Sequence, residues 1–495
     1  MLPILITEKL LKQGGNMSSW LSQAFGFFFK IDKRDRLKFF FLTMSYCVIV
    51  AGYTIVKELK DSIFIKVVGA DYLPWAKIIS MVALVPAILF YSYLVDKLRR
   101  YQLLYLYSLI YGVLGILFCY FLSDPTIGIA NTDASPYRLL GWLFYFFIEG
   151  YSPFVVSVFW AFANSVTSPQ EAKKNYGLMV SGSKLGGMAS AGFAWYFLGL
   201  SVFHGMPLSM VLKHQVLMIL SFSLLLIVPL LIFWLIKKVP GNELHGYEAV
   251  YQLEKKRQPE QEKEAAKRTW GGLSMLVKQP YVMGIFGMIL FYEIVNVVLG
   301  YQRLIGANEA SCDLAGLNCI LFQQIFFVHF VGFLISFFGT TALLRRFGER
   351  RALLLIPIAT GILLLFFMFG AVFAGSLSKA YIIAFAFIGI RAINYAISYP
   401  VRESLYIPTV KEIKFKSKSW IDAFGTKVAK GIGSQFNIIA RVLAKNFGSY
   451  AFELAHSIFF SVIIGLWFVV AYLLGKRYAK AVAHDEVIGE TKKVH

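Results

Sequence analysis

Ionisable side chains stand inside several long apolar stretches of this chain, and they are its first candidates for chemistry. On insertion scales, an ionised side chain at the centre of a membrane-spanning helix costs about 2.5–3.5 kcal/mol. Such a residue therefore tends to face a cavity, a partner or a transport pathway. Glu149 and Arg391 lie far from either end of their stretches. For residues nearer an end, such as Lys57 and Arg441, the alternative is extension of the side chain to the membrane surface.

The charges in or beside the apolar stretches are mostly basic. The basic ones are Lys57, Lys60, Lys77, Lys184, Arg303, Arg391, Lys427, Lys430 and Arg441, and the acidic ones are Glu58, Asp61, Glu149, Glu293 and Asp422. A positive cavity within a membrane suits an anion, and several lysines suit phosphate oxygens as movable point charges. An acid such as Glu149 can pair with a cavity lysine or carry a proton, and the sequence leaves both roles open.

The composition defines the class of protein. The 495 residues are 58% hydrophobic and 16% charged, and the mean hydropathy is +0.63. Soluble domains carry about 25% charged and roughly 45–50% apolar residues. These values exclude a soluble enzyme, a disordered chain and a disulfide-framed secreted domain. They predict an all-α polytopic membrane protein.

Twelve stretches are long and apolar enough to cross a bilayer, which takes about 20 residues. We predict spans at 37–59, 73–95, 101–122, 138–164, 176–200, 213–236, 281–303, 320–344, 352–375, 380–402, 419–444 and 452–475. The fourth, fifth and eleventh carry the most polar residues. Matching basic loops after the second and eighth spans support two six-helix halves of the major-facilitator type, related by pseudo-symmetry.

The predicted domain organisation follows from these spans. We expect an N-terminal segment at 1–36, a first half at 37–236, a charged linker at 237–280, a second half at 281–475 and a tail at 476–495. The net charge is +21, and most Lys and Arg outside the spans fall on one side of the membrane. The positive-inside rule then puts both termini in the cytoplasm. Without a transit peptide, this favours a bacterial inner membrane.

A weak internal repeat points to a site. With Thr167 aligned to Thr409, Glu149 falls on Arg391 without a gap. After a shift of one residue, the Gly-Ser-Lys triplet that ends at Lys184 falls on the Gly-Thr-Lys triplet that ends at Lys427. Symmetry of this kind is expected of transporter halves, whose binding site lies at the interface between repeats.

Other chemistry finds little support in the sequence. The stretch before Lys184 looks like a phosphate loop, but that motif needs Gly-Lys-Ser/Thr, and here Ser183 precedes the lysine. We expect no cofactor, no metal and no hydrolase site. Cys312 and Cys319 share one polar loop and could form a disulfide if that loop faces an oxidising compartment.

Several motifs resemble those of the ATP/ADP translocase family, the nucleotide transporters of obligate intracellular bacteria and plastids. They are Lys60–Asp61, Glu149, the Phe-Trp-Ala-Phe-Ala-Asn run with Trp160 and Asn164, the Glu-Ala-Lys-Lys-Asn-Tyr run at 171–176, and Asp422, Lys430, Gly433 and Gln435. The resemblance implies a twelve-span carrier that imports ATP in exchange for ADP, or takes up nucleotides in other modes.

The resemblance also implies which residues matter. Lys60, Glu149 and Lys430 match the family's transport-critical charges. The substrate-site prediction from the residues and the resemblance together is Lys60, Asp61, Glu149, Trp160, Asn164, Lys184, Arg391, Lys427, Lys430 and Gln435. Where the family has a glycine, an acid and a tryptophan, this chain has Ala429, Leu299 and Gln302. It is therefore identified as a divergent member.

Four functions remain to be compared. Nucleotide exchange by alternating access leads, and proton-coupled net uptake of a nucleotide or another phosphorylated anion is the main alternative. A passive anion channel would show currents far above carrier turnover, and an enzyme acting on lipid head groups would need a nucleophile or metal site that the sequence lacks. The expected partners are a nucleotide substrate and membrane lipid, with no nucleic acid.

Overall fold

The structure is a computed structural model that describes residues 35–167, 169–203, 209–239, 278–338, 340–373, 376–406, 408–410, 413, 417–484 and 486–489. Almost all of the predicted N-terminal segment, most of the charged linker and the end of the tail lie outside the described residues.

Twelve helical segments, α1 to α12, coincide with the twelve predicted spans. They are α1 Arg36–Val67, α2 Leu73–Ala83 with Val85–Lys97, α3 Arg100–Leu122, α4 Leu139–Glu149 with Ser157–Val166, α5 Pro169–Phe203, α6 Met210–Lys238, α7 Pro280–Glu309, α8 Leu314–Phe338, α9 Thr340–Phe373, α10 Ser376–Ile393 with Tyr399–Ser404, α11 Lys418–Phe447 and α12 Ser449–Ala483. Helix α9 is interrupted at Gly348, and its apolar part is Arg350–Gly370. The fold class predicted from the sequence, an all-α membrane protein of two six-helix halves, is confirmed.

Polarity varies between the helices in a way that anticipates the site. Among the described residues, nine segments are long and apolar enough to cross a membrane by length and composition alone. The other three helices, α5, α10 and α11, carry Lys184, Arg391 and Lys430 respectively. These charged residues lower the hydropathy of the helices that carry them.

The two halves, α1–α6 and α7–α12, pack by equivalent pairs. Within the first half α1 packs against α5 and α6, and within the second half α7 packs against α11 and α12. Between the halves, α5 packs on α8, and the equivalent pair, α11 and α2, forms the other contact. The interface is therefore built twice from the same helix positions, as a pseudo-two-fold axis requires.

Small residues let the helices of the first half approach closely. A Cβ on Gly186 of α5 would lie 2.4 Å from the carbonyl oxygen of Cys47 in α1, and one on Gly52 would lie 2.8 Å from the oxygen of Ser221 in α6. Membrane helices use glycine in this way because lipid provides no hydrophobic drive for their association.

The internal repeat is visible as a matched irregularity. Helix α4 is interrupted by a π turn at Ser152–Val156, and α10 by a π turn at Asn394–Ser398. The alignment that places Glu149 on Arg391 places these two turns on each other residue for residue. Each turn follows just after the central charge of its helix. Single π turns inside α-helices occur frequently at functional sites.

Two directions along the bundle are needed below. Helix α1 begins and α6 ends near Arg36, Lys237 and Lys238. We call this side the basic end, and the side reached by Val67, where α1 ends, the opposite end.

Candidate functional site

A cavity of about 210 Å³ lies between the two halves. Its walls come from α1, α4 and α5 of the first half and from α8 and α10 of the second. The lining residues are Tyr46, Val50, Tyr53, Thr54, Lys57, Glu58, Ser152, Val156, Ser183, Lys184, Ile325, Val328, His329, Arg391 and Tyr395. Both π turns contribute to this lining, through Ser152 and Val156 on one side and Tyr395 on the other.

Three cations face the cavity without a carboxylate partner. They are Lys57, Lys184 and Arg391, and within the described part of the chain no acid lies at ion-pair distance from any of them. The Nζ of Lys184 lies 3.7 Å from the ring centroid of Tyr395, and Cζ of Arg391 lies 5.0 Å from that of Phe387. Aromatic faces stabilise these cations without cancelling their charge.

The acid in this lining is Glu58, and it is already neutralised. Its Oε2 accepts a hydrogen bond from the Nη2 of Arg303 in α7 at 2.8 Å. The same guanidinium donates to the amide oxygen of Gln324 at 2.5 Å and to the carbonyl of Leu321 at 3.0 Å. Glu58 and Arg303 are 6% and 7% exposed, so this is a buried ion pair that joins the two halves. The cavity therefore retains the charge of its three other cations.

Neutral polar groups complete the cavity wall. The hydroxyl of Thr54 donates to the Val50 carbonyl at 2.8 Å, and its oxygen lies 3.5 Å from Nε2 of His329. Within the described part, Nδ1 of His329 has no hydrogen-bond partner. A ligand or water in the cavity would find polar groups of both halves within reach.

A second cluster of charges lies beside the cavity. Glu149 accepts from Lys60 at 2.7 Å and from Lys430 of α11 at 3.1 Å, one bond for each carboxylate oxygen. Lys60 also pairs with Asp61 at 2.7 Å and lies 4.1 Å from the ring centroid of Tyr145. We call Lys60, Asp61, Glu149 and Lys430 the bridging cluster. It holds two cations and two acids and connects α1 and α4 of the first half with α11 of the second.

The predicted site residues divide into three groups. Lys184 and Arg391 line the cavity, and Lys60, Asp61, Glu149 and Lys430 form the bridging cluster. The structure brings the other four, Trp160, Asn164, Lys427 and Gln435, to neither place.

The positions of those four residues are explained by local contacts. Trp160 packs against Tyr46 at 5.1 Å and against Tyr176 at 5.2 Å, so it supports the cavity wall from behind. Asn164 accepts a hydrogen bond from the hydroxyl of Tyr176 at 2.7 Å. Lys427 and Gln435 are exposed on α11. The repeat aligns Lys427 with Lys184, but only the lysine of the first half reaches the cavity.

Sequence reasoning underestimated Lys57 and Arg303, for which extension to the membrane surface was an equal alternative. The structure buries Arg303 and places Lys57 on the cavity. The signal in the sequence was Glu58, the acid next to Lys57. A buried acid needs a cation, so if Lys57 remains unpaired a second cation such as Arg303 must be buried with Glu58.

More contacts between the halves follow toward the opposite end. The hydroxyl of Ser62 donates to the side-chain oxygen of Asn318 in α8 at 2.6 Å, and the amide nitrogen of Asn318 lies 2.9 Å from Nε2 of His214 in α6. Beyond them, Arg441 of α11 pairs with Asp71, which follows α1. Cys312 and Cys319 are free thiols, so the possible disulfide is not formed.

The fold is of the major-facilitator type. The chain resembles the inward-open xylose transporter XylE from E. coli at a TM-score of 0.54 and 12% identity, covering 92% of this chain and 97% of that one. It resembles a bacterial homologue of the iron transporter ferroportin at a TM-score of 0.60 and 12% identity, covering 88% and 100%.

The sequence identifies the family within this fold. The model of the TLC ATP/ADP transporter family matches residues 16–129 and 139–478, and the chain belongs to this family. It is therefore a multi-pass membrane transporter and not an enzyme. The similar proteins include ADP,ATP carrier protein 4 of Rickettsia conorii, with 23% identity over 95% of this chain and 97% of the relative. ADP,ATP carrier protein 2 of Chlamydia trachomatis shares 25% identity over 92% and 90%. The chloroplastic ADP,ATP carrier protein 1 of Arabidopsis thaliana shares 24% over 91% and 75%.

Proposed function

We propose that this protein is a secondary transporter that exchanges nucleotides, of the ATP/ADP type, across a bacterial inner membrane by alternating access. The observation that carries the proposal is the cavity between the halves, where three cations have no carboxylate partner in the described structure. The polyphosphate of a nucleotide supplies the negative charge that such a cavity requires. Both termini would lie in the cytoplasm.

The three cavity cations would hold the phosphates. Lys57 and Lys184 act as point charges, whereas the planar guanidinium of Arg391 can donate two parallel hydrogen bonds to phosphate oxygens. Tyr53 and Tyr395 present aromatic rings on the same cavity and are the candidates for stacking the base, an interaction worth about 1–3 kcal/mol in other nucleotide sites.

Alternating access is supported by the distribution of contacts between the halves. The bridging cluster joins them through Lys430, and Ser62, Asn318 and the Asp71–Arg441 pair join them toward the opposite end. These contacts hold the halves together on that side. Reaching the second state of the cycle requires breaking them while the cavity opens to the opposite end.

Proton-coupled net uptake of a nucleotide or another phosphorylated anion is the second candidate. Glu293 of α7 favours it, because this acid interacts electrostatically with Arg391 and accepts a hydrogen bond from Asn296 at 3.2 Å. In addition, Leu299 is a fully buried apolar residue at the position where the family has an acid. A titratable acid beside a cavity cation is what proton coupling needs.

Uptake of α-labelled ATP by cells expressing the protein tests both candidates. Exchange predicts that preloaded ADP accelerates entry, whereas proton coupling predicts that an uncoupler abolishes it. Lys184→Gln should weaken the apparent affinity for ATP about tenfold or more, because a charge-assisted hydrogen bond contributes about 1.5–3 kcal/mol. Lys238→Gln, at the exposed basic end, is the matched control and should leave uptake unchanged. The cavity assignment fails if Lys184→Gln transports like the wild type, and the substrate class fails if ATP neither enters nor competes.

A further inference from the structure

Two neighbouring residues of α1 line the cavity with opposite charge and yet do not neutralise each other. Lys57 and Glu58 are consecutive, and both belong to the cavity wall. Glu58 bonds instead to Arg303 across the interface at 2.8 Å, and Lys57 has no carboxylate at ion-pair distance in the described structure. Lys57 is therefore available to a ligand only as long as Glu58 is bonded to Arg303.

We propose that Arg303 is a specificity-determining residue that acts through Glu58. By occupying this carboxylate it leaves Lys57 available, so the cavity keeps three cations and prefers the more highly charged phosphate-bearing anion. The inference rests on the proposed function, since it concerns the same cavity. It assigns Arg303 a positioning role and no contact with the substrate.

The bonding of Arg303 suits this role. Its guanidinium has three acceptors, on Glu58, Gln324 and Leu321, so it is held in place by its own half as well as by the first half. It also lies 4.8 Å from the ring centroid of Phe387, which contacts Arg391 on the cavity. A buried guanidinium with this many partners does not leave its position to follow a ligand.

Removing Arg303 should lower the positive charge available in the cavity. A carboxylate as buried as Glu58 needs a compensating charge. Lys57 already interacts electrostatically with Glu58 and is the adjacent cavity cation. In Arg303→Gln the carboxylate turns to Lys57, and the cavity loses one of its three available charges.

Removing Glu58 should raise the positive charge of the cavity. In Glu58→Gln the guanidinium of Arg303 is no longer cancelled, and its charge adds to those of Lys57, Lys184 and Arg391. In the double variant both charges are absent, and the cavity returns to the charge of the wild type. If Arg303 and Glu58 only joined the halves, both single variants would change the charge preference in the same direction.

The experiment measures charge preference in the purified protein in lipid nanodiscs, without magnesium. Binding of AMP, ADP and ATP is compared, since these carry successively more negative charge on the same base. Binding of phosphate, pyrophosphate and tripolyphosphate is measured in parallel. We expect Arg303→Gln to reduce the preference for ATP over AMP about tenfold, Glu58→Gln to increase it, and the double variant to restore it. A tenfold change corresponds to about 1.4 kcal/mol. This is the size expected for two unit charges that interact through polar surroundings.

Controls separate the inference from the proposed function and from misfolding. Arg303→Lys keeps the charge and should keep the preference, and Arg477→Gln, which breaks the exposed pair with Glu486 inside the second half, should leave the ratio unchanged. If both single variants shift the ratio in the same direction, or the double variant does not recover, the inference is overturned. If the wild type binds the inorganic series in order of charge but no nucleotide, the proposed substrate is wrong, and the ratios that the variants give within the inorganic series decide the inference. If it binds neither series, both are wrong.

Discussion

Glu149 joins the two halves in the bridging cluster, and replacing it with glutamine tests what that contact does. One carboxylate oxygen bonds Lys60 at 2.7 Å and the other bonds Lys430 at 3.1 Å. Glutamine keeps the size of the side chain and removes its charge. Lys60 would still have Asp61, whereas Lys430 would lose the carboxylate that it contacts in the described structure.

The magnitude follows from Coulomb's law. At an effective dielectric constant of about 20, unit charges at these distances attract by about 5–6 kcal/mol before desolvation. The side chain of Lys430 is 42% exposed, so solvent screens its bond strongly, whereas Lys60 is buried. Of the two bonds, that of Lys430 crosses between the halves, and its screening reduces it to about 1 kcal/mol. A shift of about 1 kcal/mol in favour of separated halves changes that equilibrium about fivefold.

Two measurements in the same preparation give the result. We expect Glu149→Gln to slow ATP exchange about fivefold, because the state in which the halves touch is depopulated. Binding of ATP should change less, since Glu149 lies outside the cavity lining and affects binding only through the shift between states. The matched control is Glu453→Gln, whose carboxylate is about as exposed as that of Glu149 and pairs with Lys379 inside the second half. Exchange at the wild-type rate in Glu149→Gln, or an equal loss in the control, would refute the reasoning.

Three further predictions follow from individual contacts. Gly186→Ala should lower the melting temperature of the purified protein, because its Cβ would lie 2.4 Å from the Cys47 carbonyl, whereas alanine at Gly465, with nothing within 4 Å, should not. Asn318→Ala should make the opposite end more accessible to a water-soluble thiol reagent, because it leaves a buried serine and histidine without their shared partner; unchanged accessibility would contradict this. A maleimide should label Cys312, which is exposed and unoxidised, without prior reduction; a requirement for reductant would show a disulfide instead.

The helices could be predicted from the sequence because the membrane leaves few choices. An apolar run of about 20 residues must satisfy its backbone internally, so it becomes a spanning helix. The repeat could also be predicted, since the alignment of Glu149 with Arg391 anticipated equivalent positions. The π turns that follow both residues were not predicted, although Pro153 and Pro400 lie within or just after them.

The choice of partners could not be predicted from the sequence. Whether Glu58 bonds Lys57 beside it or Arg303 in the other half depends on how the halves pack, which no local pattern encodes. For the residues taken from the family motif, the sequence likewise could not predict which ones line the cavity. Trp160 lies behind the cavity wall, because motif membership does not distinguish a residue that touches a ligand from one that supports the wall.

The polar residues of α1 show why cavity charge and closure are linked in the proposed cycle. Thr54, Glu58 and Ser62 recur every four residues, so they lie on one face of the helix. Each of them contacts the second half, through His329, Arg303 and Asn318 in turn. Of the three contacts, only that of Glu58 is an ion pair.

Separation of the halves has a different consequence at each level of this face. Water can replace the neutral partners of Thr54 and Ser62 at little cost, because it offers hydrogen bonds of similar strength. Separation at Glu58 instead releases a carboxylate beside Lys57, and the new pair would cancel one of the charges that hold the substrate. Opening toward the opposite end would therefore lower the affinity for an anion in the same conformational change that allows the anion to leave. A single ion pair would then couple access to affinity without any titrating group.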